Sequence, residues 1–144
     1  MRFLSRSDSK NEGRSQTGRT VAPVSYESAL TIESKVMPGV KFVINRISFG
    51  RRMELSRRVR EITQKVEFLG AGSELDEKIE AGILVQEVDA MYLRWALVAV
   101  DGLAIDGNQA TAEQLLDRGP EDLAREIVVA IKTQCGLSEG ERKN

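Results

Sequence analysis

The stretch "RRMELSRRVREITQKVEFLGAG" (residues 51–72) decides most of the fold, because its apolar residues recur at alternating steps of four and three. These residues are Leu55, Val59, Ile62, Val66 and Leu69. That spacing puts their side chains along one narrow face of an α-helix. Gly70 and Gly72 then provide a stop signal. We therefore predict an amphipathic helix from about Gly50 to Leu69.

Before this helix, apolar and polar residues alternate with the period of two that is typical of β-strands. The alternation covers residues 29–36 and resumes over residues 40–47. Between the two segments, Pro38-Gly39 fits the centre of a type II turn, since proline fixes φ at the second position and glycine accepts a positive φ at the third. The pattern predicts a β-hairpin. An isolated hairpin is only marginally stable in water, so we expect it to pack on the helices.

A second helix is predicted after the glycines, beginning at Ser73, with Asp76 three residues later as in a capping box. It repeats the four-three spacing at Leu84, Val88, Met91, Trp95 and Val98. The last third of this segment is apolar nearly all round, so it should lie in the core or in an interface. A strand at 93–100 is the alternative, because a short apolar run does not distinguish the two.

The segment "VDGLAIDGNQ" (residues 100–109) contains two Asp-Gly pairs, which raises the question of a ligand loop. Neither aspartate starts a run with oxygen ligands at the positions that an EF-hand requires, and the glycines do not match a Rossmann fingerprint. We interpret both pairs as turns. Asp101-Gly102 should reverse the chain, and Asp106-Gly107 should lead into the next helix.

Two more helices are predicted near the C-terminus. Thr111 and Gln114 fit a capping box for a short helix over 111–117. Pro120 fits the first position of a final helix over 120–135, which Gly136 ends. The buried face of that helix should contain Leu123, Ile127, Ala130 and Ile131.

These elements predict an α+β fold in which an N-terminal β-hairpin packs on a mainly α-helical domain. We expect one domain over residues 29–136, an ordinary size for a single core. Residues 1–28 are rich in Ser, Gly, Arg and Thr, a composition that predicts a disordered tail. Residues 137–144 are polar and should form a flexible C-terminal tail.

The composition excludes several kinds of catalytic site. The 144-residue chain has no histidine and a single cysteine, Cys135, so imidazole bases, Ser-His triads and cysteine–histidine zinc sites are impossible. Cys135 lies near a predicted helix C-terminus, where the helix dipole disfavours a thiolate. We expect no enzymatic activity, no cofactor and no metal. The longest apolar run is interrupted by Arg94, and no secretory signal is visible, so we expect a soluble intracellular protein.

The charges are strongly separated along the chain. Residues 46–65 contain seven basic and two acidic residues, whereas residues 66–144 contain sixteen acidic and seven basic ones. The first helix therefore offers a candidate partner-binding face, made of Arg51, Arg52, Leu55, Arg57, Arg58, Val59 and Ile62. The alternative, which we favour, is a solvated face whose charges are partly paired with the acidic half of the same molecule. Nucleic acid is a less favoured partner, because residues 46–65 contain one aromatic residue, Phe49.

Two aromatic residues of the second helix also have two interpretations. Tyr92 and Trp95 lie three residues apart on its apolar segment. They pack in the core in the first interpretation, with their polar atoms at its edge. In the second they form a subunit contact, where aromatic residues are enriched. We favour the core.

Four segments resemble tail assembly chaperones of long-tailed bacteriophages and prophages. They are "PGVKFVINRISFGRRMEL" (38–55), "VEFLGAG" (66–72), "YLRWALVAVDGLAIDG" (92–107) and "LSEGERKN" (137–144). In that family a β-containing N-terminal part precedes helices, and a short polar tail ends the chain. The resemblance covers about residues 29–144, and residues 1–28 are outside it.

The resemblance implies a role in phage assembly. Such chaperones bind the tape-measure protein in the host cytoplasm, keep it soluble, help to recruit tail-tube protein, and are absent from the mature virion. It also implies a possible longer product made by ribosomal frameshifting, and a homo-oligomer is a further expectation. Two other functions are considered: a structural virion component, such as a head–tail connector or tail-completion protein, and a small nucleic-acid-binding regulator.

Overall fold

The structure is a computed structural model that describes residues 21–72 and 74–136. In order, its elements are β1 (Ala29–Glu33), β2 (Lys41–Asn45), α1 (Phe49–Gly70), α2 (Leu75–Ala96), β3 (Leu97–Asp101), β4 (Ala104–Ile105), β5 (Asn108–Gln109), α3 (Ala112–Arg118) and α4 (Glu121–Gln134). This arrangement confirms the predicted α+β fold. The described residues before β1, 21–28, contain no helix or strand. Most of the predicted N-terminal tail, Ser73 and the predicted C-terminal tail lie outside the described residues.

The predicted N-terminal hairpin is present. β1 and β2 are antiparallel, with Ile32 opposite Phe42. Gly39 has a φ of +96°, as the third position of a type II turn requires. The loop is also tied to α4, because the Glu126 carboxylate accepts hydrogen bonds from the Ser34 hydroxyl at 2.5 Å and from the Lys35 backbone N–H at 2.7 Å.

A third strand completes the sheet, and it follows α2 without a loop. β3 pairs antiparallel with β2, so β2 is the central strand of the order β1-β2-β3. Residues 93–96 are helical, so the alternative prediction of a strand over 93–100 was wrong at its start. Residues 97–101 are extended, so the prediction of a helix that continues to Val98 was wrong at its end. A bulge leaves Val98 without a ladder partner, with its side chain exposed rather than on the helix stripe.

The two long helices form an antiparallel hairpin. The Ser48 side chain caps α1 by accepting a hydrogen bond from the Arg51 backbone N–H at 3.2 Å. α2 begins at Leu75, two residues later than predicted, and Glu74 is its N-cap residue with no side-chain cap. The chain leaves α1 through residues 71–74, a connection short enough to hold the two helices side by side.

The second Asp-Gly pair forms a turn of a different kind from the one predicted. Asp106 and Gly107 both have positive φ, of +51° and +81°, which is the geometry of a type I′ turn between β4 and β5. The pair therefore closes a small hairpin instead of leading directly into a helix. Gly102, with a φ of +84°, lies just after β3 and agrees with the predicted first turn.

The two C-terminal helices lie close to their predicted positions. The Thr111 side chain caps α3 by accepting a hydrogen bond from the Gln114 backbone N–H, as expected. Pro120 is the N-cap residue of α4 and not its first helical residue. The predicted buried face of α4 is confirmed except at Ala130, which is half-buried, while Val128 is buried in addition.

The hydrophobic core lies between the sheet and the helices, close to the N-terminal end of α1 and the C-terminal end of α2. It contains the inward side chains of β2 and β3, the last turns of α2 and one face of α4. Its largest fully buried members include Phe42, Ile44, Leu93, Leu115, Leu123, Ile127 and Ile131. Since α1 contributes only one fully buried residue, Leu55, most of α1 lies outside this core.

Candidate functional site

The distal half of the α1–α2 hairpin extends beyond the core, and we call it the arm: residues 58–70 of α1 and 75–87 of α2. Each helix has 22 residues, about 33 Å in length. Within the arm, only Ala81 and Leu84 are buried among the described residues. The stripe predicted on α1 does face α2, but beyond Leu55 its residues are only half-buried because no further layer covers the pair.

Large apolar side chains are exposed along the arm. Leu75, Ile79 and Ile83 are 71%, 54% and 46% exposed, and their spacing of four residues places them on the same side of α2. Ile83 lines a shallow cavity together with Ile62 of α1. We call the exposed stripe of Leu75, Ile79 and Ile83, with Ile62 adjoining it at Ile83, the arm face. Exposed apolar surface of this kind marks interaction sites.

The two helices of the arm carry net charges of opposite sign. Residues 58–70 contain three basic and two acidic residues, a net charge of +1, and residues 75–87 contain one basic and four acidic residues, a net charge of −3. Among residues 21–72 and 74–136, no ion pair joins the two helices. Arg58 instead pairs with Glu54 of its own helix at 2.8 Å.

Arg51, a predicted partner-binding residue, contacts the C-terminal end of α2 in the structure. Its guanidinium lies 4.1 Å from the centre of the Trp95 ring, and its Nη2 donates a hydrogen bond to the Trp95 carbonyl oxygen at 2.7 Å. A C-terminal carbonyl has no partner within its own helix, and a cation there also interacts favourably with the helix dipole. Arg51 therefore joins the start of α1 to the end of α2.

Arg52 makes an equivalent contact with the end of α4. Its Nη1 donates a hydrogen bond to the Cys135 carbonyl oxygen at 2.7 Å. Leu55, a third candidate residue, is 4% exposed and belongs to the core. The structure thus gives three of the seven candidate residues contacts within the chain. It leaves Arg57 and Arg58 exposed, and Val59 and Ile62 half-buried between the helices.

The aromatic pair on α2 occupies the core side of the helix. Tyr92 is buried, and the Lys132 ammonium of α4 lies 5.7 Å from the centre of its ring. Trp95 is half-buried beneath the Arg51 guanidinium. Both residues therefore pack on the core side of α2 as expected. The expected polar partner of Trp95 is not found, because its indole N–H is buried and has no hydrogen-bond partner among the described residues.

Cys135 is buried, and burial raises the pKa of its thiol because the thiolate loses its hydration. The nearby Arg52 and Arg51 guanidinium groups favour the thiolate and oppose this rise only in part. The thiol is consequently neutral near pH 7 and a poor nucleophile. The described residues contain no cluster of three or more histidine, cysteine or acidic residues that could hold a metal ion.

Sequence reasoning placed the candidate surface on α1 and missed Leu75, Ile79 and Ile83. A signal for them was present, because the three residues repeat every four positions on a side of the helix that the four-three stripe of α2 does not use. The pattern alone did not show that this side lies beyond the core. That depends on where the sheet and α4 end along α2.

Comparisons with protein-family models, curated proteins and solved structures give no match to this chain. In the part of the chain that the structure describes, no helix is both long enough and apolar enough to cross a membrane.

Proposed function

We propose that this protein is a non-catalytic tail assembly chaperone of a long-tailed phage or prophage. It binds the tape-measure protein through the arm, keeps it soluble in the host cytoplasm, and promotes assembly of the tail-tube protein around it. The observation that carries the proposal is the exposed apolar arm face, because exposed apolar patches on a protein mark interaction sites. The resemblance of residues 29–144 supplies the class of client.

A paired-helix surface suits a long helical client. Two helices side by side form a groove into which a third helix packs its apolar ridge, and helix-in-groove binding is a common form of peptide recognition. Ile62 and Ile83, from different helices, line the same cavity and would form the floor of that groove. The charged edges provide polar contacts on both sides and keep the empty arm soluble.

The predicted residues on α1 take a revised part in this proposal. Arg57 and Arg58 are exposed and can meet acidic side chains of the client. Arg51, Arg52 and Leu55 hold the base of the arm against the core and act on binding only by positioning it.

The test is co-expression of the tape-measure protein from the same genome with this protein. We expect the client to become soluble and to co-purify. The double variant Ile79→Glu/Ile83→Glu should lose most of this effect, because it places two charges on the arm face. Val85→Glu is the matched control, since Val85 is 48% exposed on the same helix but points away from the arm face.

Two outcomes would contradict the proposal. The first is a client whose soluble yield does not change when this protein is present. The second is equal client binding by the double variant and by Val85→Glu, which would place the binding surface elsewhere. Stoichiometric amounts of this protein in purified virions would instead support the head–tail connector.

A further inference from the structure

We propose that the β1 strands of two copies of this chain pair antiparallel along their free edges, so that the two sheets become one continuous sheet. A two-fold axis passes between Thr31 of one copy and Thr31 of the other. β1 is an outer strand of the order β1-β2-β3 and lies outside the arm. The inference therefore does not rest on the proposed function.

The outer edge of β1 carries backbone groups without partners. The ladder with β2 continues past the strand, where the Ser34 N–H donates a hydrogen bond to the Val40 carbonyl oxygen at 2.8 Å. Because bonding alternates along an antiparallel ladder, every second residue of β1 points its N–H and C=O groups away from β2. In the part of the chain that the structure describes, these outward groups have no hydrogen-bond partner. They belong to Ala29, Thr31 and Glu33.

The other places where this sheet could be extended are interrupted. The next outward N–H after β1, that of Lys35, donates to the Glu126 carboxylate at 2.7 Å. On β3, the carbonyl oxygen of Val100 accepts a hydrogen bond from the Gln109 side chain, and a bulge breaks the ladder. β1 is therefore the regular open edge of the described sheet. Such an edge is a template for a further strand.

The sequence of β1 is complementary to itself when the two-fold axis lies at Thr31. Ala29 then faces Glu33 of the second copy, and Leu30 faces Ile32 of the second copy. Leu30 and Ile32 are half-buried against the core, so their contact extends the apolar side of the sheet across the axis. All the outward backbone groups of the strand find partners in this register.

Charges at the ends of the strand favour a second copy in this register. Glu27 comes opposite Lys35 of the second copy, and the two-fold axis makes this contact occur twice. Both side chains are exposed, and neither forms an ion pair within the described residues. With the axis at Leu30 instead, Glu27 would face Glu33, and like charges opposite each other are unfavourable.

The register on the other side, with the axis at Ile32, conflicts with α4. It would need the Lys35 N–H to bond across the interface, but the Glu126 carboxylate already accepts that hydrogen bond. It would also place Leu30 opposite Ser34, which replaces an apolar contact by a polar one. Backbone, apolar and charged groups are thus matched together in the register at Thr31.

The first test is sedimentation of the full chain over a wide range of concentration. Two short strands bury less area than a standard interface, so we expect a dissociation constant of about 10 to 100 μM. The mass should rise from 16.0 kDa towards twice that value as the concentration increases. A chain that stays monomeric at about 500 μM, well above this range, would overturn the proposal.

Substitutions at Thr31 test whether the free edge makes the contact. Thr31→Pro should weaken the dimer at least about tenfold, because proline has no N–H to donate across the axis. This N–H points away from β2, so the ladder within the chain is kept, as for proline in other edge strands. Thr31→Val keeps the N–H and is the matched control, which should dimerise like the unmodified chain. Equal dimerisation of the two variants would overturn the proposal.

A charge exchange tests the register and does not depend on the proline variant. Glu27→Lys and Lys35→Glu should each weaken the dimer about fivefold, since each places like charges together at both ends of the paired strands. The double variant Glu27→Lys/Lys35→Glu should restore dimerisation, because the opposite charges have only changed places. Circular dichroism checks that all three variants are folded.

Single variants that dimerise normally, or a folded double variant as weak as the single ones, would contradict the register. None of these samples contains a client, so a failure here leaves the chaperone proposal standing. Loss of client binding in co-expression would likewise leave the dimer intact.

Discussion

Replacement of Arg51 by alanine tests whether this residue stabilises the fold or only adds a positive charge to the surface. In the structure its guanidinium covers the Trp95 ring and donates a hydrogen bond to the Trp95 carbonyl oxygen, 44 residues away in the sequence. Arg57 on the same helix is exposed and has no hydrogen bond or ion pair in the described part of the chain. Arg57→Ala is therefore the matched control.

The expected loss of stability follows from these two contacts. A hydrogen bond to a charged group contributes about 1.5 to 3 kcal/mol, and a partly desolvated cation–π contact contributes about 0.5 to 2 kcal/mol. Contacts that share one side chain are not additive, so we expect Arg51→Ala to lower the free energy of unfolding by about 2 to 3 kcal/mol. Arg57→Ala should change it by less than about 0.5 kcal/mol.

Urea unfolding followed by fluorescence is a direct assay, because Trp95 is the only tryptophan in the chain. With an m-value of about 1.5 kcal/mol/M, the midpoint for Arg51→Ala should fall by roughly 1 to 2 M. The emission of the folded protein should also shift to longer wavelength as water reaches the ring. Equal midpoints for the two variants would refute the structural role of Arg51 and would indicate that it contributes only a surface charge.

Further predictions concern the rest of the fold. Glu126→Gln should lower the free energy of unfolding by about 1 to 3 kcal/mol, measured by urea unfolding, because a charged acceptor of two hydrogen bonds from the β1–β2 loop is lost. Gly102→Ala should lower the melting temperature more than Gly107→Ala does. Both glycines have positive φ, but only at Gly102 would a Cβ meet the backbone, 2.6 Å from the Gly39 carbonyl oxygen. Arg52→Ala should lower the free energy of unfolding in urea by about 1.5 to 3 kcal/mol, because the end of α4 loses a hydrogen bond from a charged donor. The raised pKa of this thiol means that stability falls as pH rises above the unfolded value of about 8.5, and Cys135→Ala should remove that part of the alkaline loss.

Much of the fold was predictable because its signals are local. The Pro38-Gly39 turn, the four-three stripe of α1 and the Thr111 cap each depend on a few neighbouring residues. The end of α2 was harder, since residues 93–100 suit both a helix and a strand. Pairing with β2, a segment more than 50 residues earlier, decides in favour of a strand from Leu97.

The candidate surface was less predictable than the fold. The charges of Arg51 and Arg52 suggested a binding face, but their roles depend on where the C-terminal ends of α2 and α4 lie in space. The exposure of Ile79 and Ile83 likewise depends on how far the core extends along α2. Neither the positions of these helix ends nor the extent of the core can be predicted from the local pattern of residues.

The most direct test of the central claim, that the arm is the binding surface, is hydrogen–deuterium exchange on the complex with the tape-measure protein. We predict slower exchange in residues 58–70 and 75–87 when the client is bound, with little change in the sheet. The comparison should be made against the client-free protein under the same conditions. Protection confined to the sheet or to α4, with the arm unchanged, would contradict the account.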